Sequence, residues 1–332
     1  MDEGAFALLD CLGFKGIWSR PTSHSSPEQI IGFLEQTEAH APMLPAVQLH
    51  AKAKQVEFFF AFVSDTVAIG ARLKDGKPHT DHQRGFLVSA VGQACRDIAL
   101  RFVDCASPLL MRGTIAYGEY LLRKSFFVGP AVDEAASFFE TAQGAFIWGT
   151  PEAARVHRAH MLEFIPQFAH QLVESPVDNQ VTVFDQMVSA FEISSVTLNR
   201  QQLERVKAWW DSLDVNQRRL VAPAVLKASI GIYRTDAVLM DYPMQLNTGG
   251  TLRADVLNPI FGVEVERHRA LIGKMLSSFE GKSLDVLMKR QRTEELLANC
   301  AQMTTKAVAD ALAQLRAVLP LVSQLAGKEL QF

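Results

Sequence analysis

Two short apolar stretches each end on a carboxylate, and together they form the part of this sequence best suited to chemistry. The first is Phe6-Ala-Leu-Leu-Asp10-Cys-Leu-Gly13-Phe14; the second is Phe58-Phe-Phe-Ala-Phe-Val-Ser-Asp65. Hard divalent cations prefer oxygen ligands, so two carboxylates delivered from neighbouring strands can clamp them. A site of that kind can run two-metal phosphoryl transfer, because both the attacking and the leaving oxygen are stabilised. Gly13 lies just beyond Asp10, and a glycine lets the backbone turn tightly and come close to a phosphate. Taken singly, Asp10 and Asp65 each read as a strand end or a helix cap. As a pair they are a candidate site.

The elements that must position them follow from the patterning. Apolar runs this short suit strands buried on both faces, and residues 5–10 read as the first. A polar link from Ser19 to Ser26 precedes a helix from Pro27 to about His40, with Ser26 as N-cap and Pro27 in the first turn. Residues 55–65 and 66–73 read as two strands joined at Ser64-Asp65, which puts the carboxylate on a hairpin tip. Asp75-Gly76 marks a turn, and a helical period covers 82–103. Residues 109–117 and 119–128 read as a strand pair around Gly118; Gly129-Pro130 ends it, a helix follows over 131–141, and a short strand over 145–148. This order predicts an α+β sandwich: one mixed, mainly antiparallel sheet with flanking helices. Beyond about residue 150 helical patterns dominate, at 201–213, 224–232, 262–279, 283–297 and 304–325. One further strand is read at 237–246 and a loop at residues 247–250. The expected division is a catalytic domain of 1–185 and a mainly helical C-terminal region of 186–332.

The composition fits this plan. The chain has 332 residues, 48% hydrophobic and 21% charged, with a formal charge of -3, which suits a globular protein of two smaller domains or one large one. That charge gives no reason to expect DNA as a partner, although a nucleotide needs only a local basic patch. Cys11, Cys95, Cys105 and Cys300 lack metal-ligand spacing and read as free thiols in a reducing compartment. The expectation is a cytoplasmic protein with no signal peptide and no membrane span.

In order and spacing, four separate signals resemble the class III nucleotidyl cyclases. They are Asp10 followed by Gly13-Phe14, Asp65 on its hairpin tip, Arg112 with Ile115 and Gly118, and Gly129-Pro-Ala-Val132-Asp133-Glu-Ala135-Ala136 at a helix start. In the third signal Thr114 replaces the family's first glycine, with Gly113 one place early. The resemblance covers roughly residues 1–150. It implies two divalent cations, Mn²⁺ or Mg²⁺, bridged by Asp10 and Asp65, with the Cys11 backbone carbonyl as a third metal contact. It also implies amides from Leu12 to Phe14 cradling the phosphates at a turn into a helix. One cation would activate the ribose 3′-hydroxyl while the other steadies the α-phosphate and the leaving diphosphate. The family's site forms between two catalytic domains, so a homodimer with composite sites is implied.

The departures are informative. Ala61 and Phe126 stand where purine cyclases carry the polar pair that fixes the base. The family's transition-state Asn and Arg fall on Asp133 and Ser137, so the usual Arg is missing, and Arg123 or Lys124 is the candidate phosphate contact in its place. An apolar, narrowed base site with both carboxylates intact resembles the bacterial pyrimidine cyclases of the Pycsar anti-phage system. Those are single cyclase domains with a helical C-terminal extension, and they signal to a separate effector. The resemblance therefore implies conversion of UTP to 3′,5′-cyclic UMP, with cyclic CMP from CTP as the alternative. A degenerate cyclase domain that binds a nucleotide without turnover is the rival from another class. A polymerase-like palm domain is weakened by the lack of a basic, aromatic-interleaved template surface.

Other candidates carry less. His157 and His160 are spaced for one helix face but have no third ligand nearby in sequence, so exposed or partly packed histidines are expected. Trp209-Trp210 reads as one core residue and one interhelical contact. Lys289-Arg290-Gln291-Arg292, with Lys282 upstream, reads as a solvated helix face.

Overall fold

Strand β1 (Asp2–Leu12) is the hub of the sheet: it pairs antiparallel with β3 (Thr66–Leu73) on one side and with β4 (Leu110–Arg123) on the other. The computed structural model describes residues 1–12, 26–52, 56–78, 80–105, 109–123, 126–139, 141, 144–164, 170–172, 174–189, 200–233, 239–245, 250–260, 265–277 and 284–327. Helices α1 (Pro27–His40) and α2 (Pro45–Lys52) lie between β1 and β2 (Val56–Val63) in the chain, and β2 pairs with β3 as a hairpin. The long α3 (Asp81–Val103) returns the chain to β4. Short β5 (Phe126–Val128) folds back on the end of β4, and α4 (Pro130–Phe139) and β6 (Ile147–Gly149) follow. Next come α5 (Pro151–Arg158) and a π-helical turn over Ala159–Phe164.

Local chemistry explains the helix starts. Ser26 and Gln29 form a reciprocal capping box at α1, and Thr80 and Gln83 form another at α3, each satisfying backbone amides that have no partner inside the helix. Pro27 at the first position costs nothing there because its missing N–H is not needed.

Among the described residues the sheet has the strand order β2-β3-β1-β4-β6-β8-β7 with β5 attached to β4. All pairs are antiparallel except β4 with β6. Strand side chains alternate between faces. On one face Phe6, Ala61, Ala68, Ala116 and Tyr120 pack against Ala131 and Ala135 of α4. Ala5, Ala7 and Leu9 of β1 are fully buried on the other face, against which α3 packs. Each large apolar side chain so buried stabilises the fold by roughly 2 kcal/mol relative to exposure.

The chain divides into two compact units. The first comprises Met1–His160, Val238–Pro259 and Arg267–Ala298; the second comprises Met161–Ala237, Ile260–Glu266 and Asn299–Phe332. The first includes the hairpin of β7 (Leu239–Gln245) and β8 (Thr251–Leu257), which extends the sheet through β6. A single cut near residue 185 assigns that hairpin to the C-terminal region, whereas its backbone hydrogen bonds place it in this sheet. Pro243 fits because β7 is the last strand in the order, where a missing ladder donor is tolerated. The second unit is built from α6 (Val177–Ser189), α7 (Arg200–Asp211), α8 (Val215–Tyr233) and the later turns of the long C-terminal helix. Trp209 and Trp210 are both buried in its core, and the Trp210 indole donates to Asp185.

Other expectations are corrected. β4 runs unbroken through Gly118 from Leu110 to Arg123, and only β5 turns back. After α9 (Val265–Ser277), the two C-terminal helices expected at 283–297 and 304–325 are one 43-residue helix, α10 (Leu284–Ala326). No glycine or proline separates the two patterns, so nothing ends the first. Helices α2 and α6 and strand β8 are additional to the sequence reading, and residues 247–249 lie outside the described residues. No helix among the described residues is long and apolar enough to cross a membrane.

Candidate functional site

Asp10 is the third residue from the end of β1, on the face shared with Phe6 and Leu8. It is flanked in the ladder by Thr66 of β3 and Arg112 of β4. Asp65 sits in the two-residue turn between β2 and β3, where Ser64 takes φ 57°. The Cys11 amide donates to the Asp65 carbonyl at 3.1 Å, so the turn is tied to the end of β1. This bond places two aspartates, 55 positions apart in sequence, side by side at one end of the sheet.

Their chemistry is coupled. Asp10 is held above the usual carboxylate range, first by burial and next by the negative charge of Asp65; the Arg112 guanidinium works in the opposite direction. Arg112 donates from Nε and Nη2 to Asp10 Oδ2, each at 3.4 Å, and its guanidinium carbon lies 4.7 Å from the centroid of the Phe139 ring at the end of α4. Two mutually repelling carboxylates with oxygen donors are a fit donor set for a hard cation. Among the described residues no group of three histidine, cysteine, aspartate or glutamate side chains forms a closed metal cage, so the pair stands as an open two-carboxylate site. The Cys11 thiol is buried and pushed up, first by burial and then by the two aspartates. It is a poor thiolate ligand.

The remaining expected residues are distributed along the sheet. Leu12, half-buried, ends β1 opposite Leu110. Gly13, Phe14 and Lys124 lie outside the described residues. Ala61 is 3% exposed beneath α4, across from Ala68. Arg123 and Phe126 face each other in the β4–β5 turn-back, with Phe126 76% exposed. Arg123 lies eleven positions after Arg112 on β4, about 36 Å of extended strand, so Arg123 and Phe126 stand at the opposite end of the sheet from Asp10. Asp133 is exposed in the first turn of α4, and the Ser137 hydroxyl donates to its carbonyl. Within one chain the structure therefore brings together Asp10, Asp65 and Arg112, and not Arg123 or Phe126. The contribution of Arg112 was missed as chemistry although its motif was seen. The signal was its position two residues before Thr114 on a strand paired with β1.

A second polar cluster lies where α3 packs on α5. His82 and His160 share a hydrogen bond between their Nδ1 atoms at 2.7 Å, with ring centroids 4.8 Å apart and planes 25° from parallel. The two nitrogens are too close to admit a cation between them. His157 and His160 are 2% and 6% exposed, so they are core groups, contrary to the exposed or partly packed side chains expected. The basic run at 289–292 behaves as a helix face, with Arg290 paired to Glu294 at 2.8 Å.

No protein-family model matches this chain, and no curated protein matches it.

Proposed function

We propose that this protein is a nucleotidyl cyclase that converts UTP to 3′,5′-cyclic UMP and diphosphate, with CTP as the second substrate. In this reading it is the signal-generating enzyme of an anti-phage defence system with a separate effector. The observation that carries the reading is the Asp10–Asp65 pair, held by the Cys11-to-Asp65 bond at the end of β1. It occurs in a run of β1, two helices, β2, β3, α3 and β4 whose four strands lie in the order β2-β3-β1-β4, the arrangement expected of a class III cyclase sandwich.

Asp10 and Asp65 would hold two divalent cations, Mg²⁺ or Mn²⁺, which supply the charge that activates the ribose 3′-hydroxyl and steadies the departing diphosphate. The chain's own residues do the rest. Asp10 and Asp65 fix the triphosphate at the strand ends through that shared charge. Arg112 leaves its long contact with Asp10 and turns toward a phosphate oxygen, a planar donor suited to it. In the reaction the 3′-oxygen forms a bond to the α-phosphorus, the bond from the α-phosphorus to the β-bridging oxygen breaks, and the hydroxyl proton is released. Homodimerisation would bring the β4–β5 end of a second chain to the base.

One observation favours a second reading, a nucleotide-binding module without turnover: Arg112 already places a cation at Asp10. Incubation with each of the four nucleoside triphosphates and Mn²⁺ or Mg²⁺, with products identified by mass spectrometry, separates the two. Cyclic UMP with released diphosphate is the expected result, and binding without any cyclic product leaves the module.

A further inference from the structure

Thr293, buried in α10 at 3% exposure, uses one hydroxyl for two hydrogen bonds. It donates to the Lys289 carbonyl one turn back at 2.7 Å, and it accepts from the Ala145 amide at 3.0 Å. Ala145 leads into Phe146, whose carbonyl accepts from the Gly113 amide at 2.8 Å, and Ile147 is the ladder partner of Gly113. Gly113 is seated so closely on β1 that a methyl group there would lie 2.4 Å from the Leu8 carbonyl oxygen. Its chain neighbour is Arg112, whose guanidinium faces Asp10. A side chain of the C-terminal helix is thus two hydrogen bonds removed from the backbone that aims Arg112 at the carboxylate pair.

We propose that Thr293 is a positioning residue for the Asp10–Asp65 site: it fixes the entry of β6, through it the seat of Gly113, and so the placement of Arg112. Its effect on turnover rests on the cyclase reading; its effect on the backbone does not. The Ala145 amide is part-buried, so removing its acceptor costs free energy and loosens the hold on this segment. There is room for it to shift. A cavity of about 40 Å³ lies at this joint, lined by Leu110 and Met111 of β4, Ala145, Ile147, and Thr293 and Leu296 of α10. Packed interiors pass displacements on instead of absorbing them, so a movement of α10 is transmitted along this chain of bonds to Arg112. The C-terminal helix is thereby a route by which the site can be regulated.

Thr293→Val keeps the shape and removes the acceptor, whereas Thr293→Ser keeps the acceptor; comparing them tests the proposal with two readouts. The first is native-state amide exchange. In Thr293→Val exchange at Ala145 and Gly113 should quicken by about tenfold or more while the β1–β3 ladder is unchanged. The second is cyclic-nucleotide formation, where Thr293→Val should raise KM for the triphosphate and lower kcat, together by about tenfold or more. Thr293→Ser should stay near wild type in both. A folded Thr293→Val protein with wild-type exchange at Gly113 overturns the proposal, and so does a Thr293→Ser protein that loses as much as Thr293→Val. Should Thr293→Val fail to fold, exchange in the wild type decides. Joint protection of Ala145 and Gly113 supports the latch, and an Ala145 amide exchanging like an open chain removes it. Wild-type protein that forms no cyclic nucleotide sinks the cyclase reading, and amide exchange then decides the latch alone.

Discussion

Asp10 and Arg112 are direct partners in the β1–β4 ladder, and the guanidinium reaches one carboxylate oxygen through two nitrogens, both at 3.4 Å. Charge-assisted contacts of this kind close to about 2.7–2.9 Å when they are strong, so this one is loose. Phe139 also packs on the guanidinium, and under the proposed function Arg112 would exchange Asp10 for a phosphate oxygen. Replacement by Lys keeps the charge and loses the planar fork, so Arg112→Lys should raise KM for the triphosphate by about tenfold, and Arg112→Ala by more. Steady-state kinetics on the two variants check this. Equal KM values in wild type and Arg112→Ala would remove Arg112 from the phosphate site.

Ionisation of Asp10 costs stability. Asp10 has its folded pKa raised, so the folded state binds its proton more tightly than the unfolded chain does. Its favourable contribution is complete below the unfolded value near 3.9 and is lost as pH rises through the folded value. At neutral pH the ionised Asp10 therefore lowers the stability of the fold. Asp10→Asn should melt higher than wild type in chelator, by a few degrees, and Mn²⁺ should stabilise the wild type but not the variant. The same variant, like Asp65→Ala, should lose about 10³-fold or more in turnover, equivalent to ~4 kcal/mol of barrier. Scanning calorimetry with and without metal, paired with product assays, tests both halves. A folded Asp10→Asn enzyme that keeps a substantial part of wild-type turnover would contradict the assignment.

Much of this was legible because it rests on local rules. The Ser26 cap, the Ser64-Asp65 hairpin tip and the period of α3 are short-range patterns, and the structure follows them; the Thr80 cap is equally local but was not read. Asp10 and Asp65 were also read as a candidate pair, and the structure sets them at one end of the sheet, although β1 runs two residues past Asp10. What escaped the sequence depends on distant partners. Strand β8 carries Asp255, an unpromising core residue until Arg158 of α5 is brought to 2.8 Å from it. Gly118 reads as a turn, yet long pairing with β1 carries β4 straight through it. The loose ion pair of Arg112 and the bond between Thr293 and Ala145, 148 positions apart, have no local signature at all. The placement of Arg123 and Phe126 far from Asp10 follows from the length of an unbroken β4, so it was lost with the misread turn at Gly118.

The histidines between α3 and α5 predict acid lability. Burial pushes His82 and His157 down to about 4 and His160 to about 3, with the charges of neighbouring His82 and His157 adding to the effect at His160. Their folded values lie below the unfolded one near 6.5, so the stability tied to their neutral forms is complete above about pH 6.5. It is lost as pH falls from there toward about 4, because the unfolded chain takes up protons that the folded one refuses. Urea unfolding at pH 7 and pH 5 should show a lower midpoint at pH 5. His160→Gln, which cannot be protonated, should shrink that difference. A midpoint that is the same at both pH values would show that these rings titrate normally.

Phe126 gives the sharpest test of how substrate is recognised. It is 76% exposed on β5, and about 36 Å of strand separates its end of β4 from Arg112. A single nucleotide cannot span that distance, so Phe126 touches a base held by Asp10 and Asp65 only if those aspartates belong to another copy of the chain. Exposure also means that Phe126→Ala should change stability by no more than about 0.5 kcal/mol, which separates an effect on recognition from an effect on folding. An apolar pocket discriminates mainly by volume, so removing the ring should relax selectivity from UTP toward the larger purine nucleotides even if the overall rate drops. If the site is composite, mixing an inactive Asp65→Ala protein with an inactive variant of the β4–β5 end, such as Phe126→Asp, should restore activity through one working site per mixed dimer. Unchanged product ratios in Phe126→Ala, together with no recovery on mixing, would place the base elsewhere. An active protein that sediments as a monomer at every concentration would exclude the composite site outright.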